Sequence, residues 1–191
     1  MSKNVVRFST LFIILTSVFF MLGCEKQLTS SAEVSLQQGI PTDQIRWIGW
    51  KPEIDRNFAV LSKKGHDGKM ITPEKGGVVG SNKTFGNKVE IPAGAVNQNT
   101  FITVDIVRTE QGGAAVEFLP SMTFNKDVRI TMSFAGVNLS VKDVQEGNFK
   151  IYYSQDNVTW YPLDPSLIEV NLNDETLSFN INHFTRYGWG F

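Results

Sequence analysis

The chain has one cysteine and two histidines in 191 residues. A single thiol excludes an intramolecular disulfide. It also leaves no cysteine pair for zinc, and the carboxylates do not cluster in sequence around His66 or His183, so neither a metal nor a cofactor is expected. Charge of one sign is lacking as well. Eighteen basic and nineteen acidic side chains give a net charge of −1, without the basic footprint that nucleic-acid binding requires. No apolar run reaches the roughly 20 residues of a membrane-crossing helix. There is no Gly-x-Ser-x-Gly turn and no EF-hand loop. Enzymatic activity on an external substrate is therefore not expected.

The position of the lone cysteine is informative. Lys3 and Arg7 form a short basic start, and Leu11 to Phe20 follows as LFIILTSVFF, uncharged up to Cys24. This order is that of a secretory signal peptide rather than a membrane span. Met21-Leu22-Gly23-Cys24 resembles the bacterial lipobox, with an apolar residue at −3, a small one at −1 and Cys at +1. The resemblance implies diacylglycerol on the Cys24 thiol, cleavage between Gly23 and Cys24, and acylation (palmitate or a similar chain) of the new amino group. Stable anchoring takes about two acyl chains, which this modification supplies. The thiol is then consumed, and any chemistry falls to oxygen nucleophiles. Glu25 after the cysteine, in place of Asp, fits sorting to the outer rather than the inner membrane of the cell envelope.

Residues 25–43, EKQLTSSAEVSLQQGIPTD, are polar and without sustained period, as in a flexible tether. QIRWIGW (Gln44–Trp50) reads as an ordered lead-in, because two tryptophans seldom remain solvated. LSKKGHDGKM (Leu61–Met70) reads as an exposed loop, with His66 a solvated member of it. From Gly76 the period becomes two, the mark of half-buried strands. Val89 and Ile91, then Ile102, Val104 and Ile106, share faces. Val128, Ile130, Met132 and Phe134 alternate with Arg129, Thr131 and Ser133. Phe149, Ile151 and Tyr153 continue the pattern, as do Ile168, Val170 and Leu172, then Leu177, Phe179 and Ile181. Tyr187, Trp189 and Phe191 close the chain on one face. Turn chemistry at IPAGA, Gly112-Gly113, Gln155-Asp156-Asn157 and Asn173-Asp174-Glu175 separates the runs. The pattern predicts an all-β, antiparallel β-sandwich, with a helical turn at most around Ala95–Gln98 or Val141–Val144.

Three stretches together resemble the ZU-five domain, the β-sandwich module of tight-junction scaffolds, netrin receptors and ankyrins. Gly77 to Ile106 has the opening glycines, a strand, the IP-x-GA turn and a strand rich in Ile, Val and Thr. Glu117 to Phe134, EFLPSMTFNKDVRITMSF, has the Pro, the apolar-Phe pair and the long alternating strand. His183-Phe184-Thr185-Arg186-Tyr187 is close to the family's HFS-x-Y ending. The resemblance implies a ZU-five-like sandwich over residues 76–191, preceded by a signal peptide (1–23), a lipidated tether (24–43) and a lead-in segment and loop (44–75). It also implies an interaction module. Some family members cut themselves between Phe and Ser of this ending. Carried over, Thr185 is the nucleophile, His183 the base and Phe184–Thr185 the scissile bond.

Two further patterns bear on binding. Ser154 to Trp160, SQDNVTW, resembles the Asp-box hairpin of sialidase-like propellers. It departs in having Val158 and a Trp one place early, so a hairpin with Trp160 in the core is expected. Tyr152 and Tyr161 fall on the polar phase of their strands, and with Trp47 or Trp50 they are candidates for a sugar-stacking platform. The sequence thus supports a lipid-anchored envelope lipoprotein displaying a non-enzymatic binding module. A self-cleaving domain and a carbohydrate-binding lipoprotein are the alternatives. The partner is the membrane, through the lipid, and an envelope protein or glycan.

Overall fold

A computed structural model describes residues 38–191. Gly23 and Cys24, the signal peptide and most of the tether lie outside the described residues. Within them, two antiparallel sheets face each other as a β-sandwich. The larger has the order β1 (Ile40–Pro41), β9 (Thr159–Pro162), β8 (Lys150–Ser154), β12 (Arg186–Gly190), β6 (Ala114–Leu119), β5 (Thr100–Arg108), β2 (His66–Ile71). The smaller has the order β10 (Glu169–Asn171), β11 (Thr176–His183), β7 (Thr123–Ser133), β4 (Lys88–Ile91), β3 (Gly77–Gly80).

The period-two runs build the core as their spacing dictates. Ile102, Val104 and Ile106 of β5 are buried against Val128, Ile130 and Met132 of β7 and Leu177 and Phe179 of β11. On β12 the alternation serves two layers. Tyr187 and Trp189 point inward and are buried. Gly188 and Gly190 point outward, where a Cβ would stand 2.9 Å from Trp47 and 2.9 Å from Ile45 and Tyr152 respectively. Their bareness lets the segment Ile45–Trp47 lie flat on the outer face. There Ile45, Tyr152 and Trp160 form a second apolar cluster, with Trp47 packed against it. Trp50 continues into the main core, donating its indole N–H to the Val107 carbonyl at 3.0 Å. The lead-in is thus ordered, and Trp160 is buried as its hairpin position predicts.

The region before Gly76 is richer in structure than its weak patterning suggests. Pro52–Arg56 (α1) and Phe58–Lys64 (α2) are short helices, and His66 to Ile71 form β2 along the whole of Thr100–Asp105. The expected loop over Leu61–Met70 is therefore the end of a helix and an edge strand. His66 is correspondingly not a free loop side chain, because its Nδ1 meets Asp105 Oδ1 across the β2–β5 ladder. Of the two expected helical turns, Val141–Gln145 forms α3, capped by Ser140 and Asp143. Ala95–Gln98 is a non-helical bend. Val170 is exposed, since β10 is a three-residue edge strand, and Phe191 is 40 % exposed with Arg46 stacked on its ring.

Candidate functional site

Seven strands cannot all be faced by five. The consequence appears at the β8–β9 hairpin, whose inner face begins in the core and ends outside it. Ile151 is buried, whereas Tyr153, two residues on, is half-buried. Tyr153 stands directly opposite Tyr161 across the ladder. Their rings stack with centroids 5.5 Å apart and planes 29° apart. Beyond them lies an open groove of about 380 Å³ lined by Tyr153, Gln155, Asp156, Thr159 and Tyr161.

The hairpin tip is held by one carboxylate. Asp156 Oδ1 accepts from the Ser154 hydroxyl at 3.0 Å and from the backbone N–H of Val158 and Thr159 at 2.9 and 2.8 Å. The Ser154 hydroxyl in turn accepts from the Asn157 N–H at 2.8 Å, and Asn157 takes the left-handed conformation, φ 63°, which suits Asn in tight turns. The backbone N–H groups of Thr159 and Val158 lower the Asp156 pKa to about 2, so the groove carries a fixed negative charge at neutral pH.

The sugar-platform expectation needs correction. Tyr152 is buried on the opposite, outer face, its ring 5.8 Å from Trp47 and its hydroxyl donating to the Phe191 carbonyl at 3.3 Å. Trp50 is buried in the main core. Tyr152 and Tyr161 therefore do not share a surface, and the partner of Tyr161 is Tyr153. Sequence phase placed Tyr153 correctly on the core face but Tyr161 on the polar one. Tyr161 shares the face of Tyr153, whereas Trp160 lies outward with Ile45 and Tyr152. Phase could not show that the opposing sheet stops short of Tyr153.

His183 ends β11, in the other sheet, and lies against this site with its ring 5.9 Å from that of Tyr153, edge to face. Burial pushes its pKa below the usual histidine value. Phe184 and Thr185 carry the chain from the smaller sheet to the larger. The Phe184 ring is buried, with centroids 4.5 Å from Phe124 and 5.6 Å from Phe118. Its N–H donates to the Met122 carbonyl at 2.9 Å, and its own carbonyl accepts from the Ser121 hydroxyl at 3.3 Å. The Thr185 hydroxyl is buried and donates to the Ser154 carbonyl. His183 Nδ1 instead faces Asn182 Oδ1 at 3.4 Å. The motif thus braces the crossover to the hairpin that bears the groove.

A second polar group lies on the outer face of the larger sheet. His66, Asp105, Glu117 and Arg186 run in register across β2, β5, β6 and β12. Arg186 donates twice to Glu117 Oε1, at 2.7 and 3.2 Å, and the Thr103 hydroxyl donates to Asp105 Oδ2 at 2.9 Å. These groups satisfy one another, as an ion-paired sheet surface does. Among the described residues no set of His, Cys, Asp and Glu has the arrangement of a metal site. Compared with known proteins, the chain matches no family model and no curated protein.

Proposed function

We propose that this chain is a lipid-anchored lipoprotein of the bacterial cell envelope that displays a non-enzymatic, ZU-five-like binding module. The observation that carries the reading is Met21-Leu22-Gly23-Cys24 at the end of a charged start and a short apolar run. The β-sandwich supports the display half of it. The chain enters the fold at β1 beside β9, so the tether meets the domain next to the Tyr153–Tyr161 groove. The lipid places the module at a membrane, and the groove supplies a shaped surface there for an envelope protein or glycan. The Glu25 position favours the outer membrane.

Self-cleavage at Phe184–Thr185 gains no comparable support. The Thr185 hydroxyl is engaged with the Ser154 carbonyl, and His183 is turned to Asn182 and Tyr153. The anchoring test is metabolic labelling of a bacterial host with an alkyne-bearing palmitate analogue. The wild-type chain takes up label and sediments with membranes. Cys24→Ala carries no label and keeps the mass of its leader. Equal labelling of the two chains removes the reading.

A further inference from the structure

We propose that the groove on the inner face of the β8–β9 hairpin binds a neutral oligosaccharide. One pyranose ring would lie against the Tyr153–Tyr161 ledge, with its hydroxyls held by Gln155, Asp156 and Thr159. The inference rests on reading the domain as a binding module and names what that module takes.

Three observations select this chemistry. The first is the ring pair. Tyr153 and Tyr161 stack on each other, so each holds the other in place in the groove wall, where ring carbons and phenol groups together suit the CH and OH groups of a sugar. The second is the polar lining. An amide, a hydroxyl and a carboxylate beside the rings offer both donors and acceptors, as vicinal hydroxyls require. The third is that the carboxylate is already fixed. Three hydrogen bonds hold Asp156 through Oδ1, and the Thr159 side chain adds a further one to the carboxylate. A group ordered before binding costs little to order on binding. The groove volume of about 380 Å³ falls in the range of roughly 300–1,000 Å³ usual for small-molecule sites.

The same observations weigh against other ligands. An anion would meet the Asp156 charge with no Lys or Arg in the lining. A quaternary ammonium is held by rings disposed around it, whereas these two rings lie against each other at 29°. Gly39 lies beside Tyr161, where a Cβ would stand 2.3 Å from Thr159 and 3.0 Å from the Tyr161 ring, so the rim of the groove has no room for a side chain there.

The experiment uses the full chain, purified in a detergent without a sugar headgroup. It is titrated by calorimetry with four tetrasaccharides: β-1,4-linked glucose, N-acetylglucosamine and mannose, and α-1,4-linked glucose. At least one should bind at millimolar concentration or better. Tyr161→Ala should weaken it by about tenfold, the loss of one stacking ring. Tyr161→Phe, which keeps the ring, should stay within about twofold. A thermal melt shows that the Ala variant is folded. The inference is overturned if no tetrasaccharide binds at about 10 mM, a concentration that detects even weak sites. It is also overturned if Tyr161→Ala binds as well as wild type, or if tetramethylammonium binds in the sugars' place. A chain that takes the palmitate label but no sugar overturns this inference alone. A chain that takes no label overturns the anchoring itself.

Discussion

Trp47 and Trp160 meet edge to face, with centroids 4.6 Å apart and planes at 70°, although 113 positions of chain separate them. Trp47 comes from the lead-in segment, and Trp160 is the buried residue of β9. The contact closes the outer apolar layer of the larger sheet over Gly188 and Gly190. Trp47→Ala removes the ring that roofs this layer; because the ring is only partly buried, the loss expected is below the roughly 3–5 kcal/mol of a fully buried tryptophan. Urea unfolding reads it as a lower midpoint at unchanged slope. Gly188→Val tests the same layer from below. Its Cβ would begin 2.9 Å from the Trp47 ring, so it should lower the melting temperature while leaving the inward pair Tyr187 and Trp189 in place.

Asp156 makes the hairpin acid-sensitive. Its pKa in the folded chain is about 2, against an ordinary value of 3.8. A depressed carboxylate contributes stability that is present above the ordinary value and is lost as pH falls through the folded one. The Tyr153–Tyr161 signals in an NMR spectrum should therefore shift between about pH 4 and pH 2. Asp156→Asn, which retains an acceptor oxygen, should flatten that change.

His183 acts in a higher window with the same sense. Burial lowers its folded pKa below the ordinary value near 6.5. Below that ordinary value the unfolded chain takes up the proton first, so stability falls as pH drops from about 7 toward 5. His183→Gln should remove this part of the slope in melting temperature against pH. An unchanged slope would show that the ring is solvated in solution.

Thr185 should behave as a brace. Thr185→Val keeps the shape and removes the hydroxyl given to the Ser154 carbonyl, costing about 0.5–1.5 kcal/mol. Intact-mass spectrometry of the wild-type chain should find Thr185–Phe191 still attached. A mass lacking those residues would reinstate the hydroxyl as a nucleophile.

The two sheets were legible because their signal is local. Val128 to Phe134 alternates without a break, and strict alternation has one physical meaning, a strand with one wet and one dry face. β2 was hidden for the same reason. HDGKMI has a glycine under Phe101 and an exposed Met70, so an edge strand with one narrow contact face shows no period. The candidate site was half legible. SQDNVT announced a hairpin tip, and its carboxylate does hold the turn. Phase puts Tyr153 on the dry face and Tyr152 on the wet one. Each is on the face its phase dictates, but what covers that face is a property of distant chain. The Ile45–Trp47 segment covers Tyr152, and the narrower sheet leaves Tyr153 half open. Period in a sequence reports faces, and it is silent about roofs.

The two-residue pairing of Ile40 and Pro41 with Trp160 and Thr159 also sets how the domain would respond to mechanical load. A chain fastened to a membrane through residues before Gln38 transmits any pull to β1. β1 itself is fastened to β9 through only two residue pairs. The next holds are the Thr42 N–H on the Val158 carbonyl at 3.0 Å and the Thr42 hydroxyl on Gln111 at 2.6 Å. Force on the anchor is thus delivered to the strand that carries Tyr161. If the chain is anchored through Cys24 as proposed, a pull on the anchor and a ligand in the groove would both bear on β9.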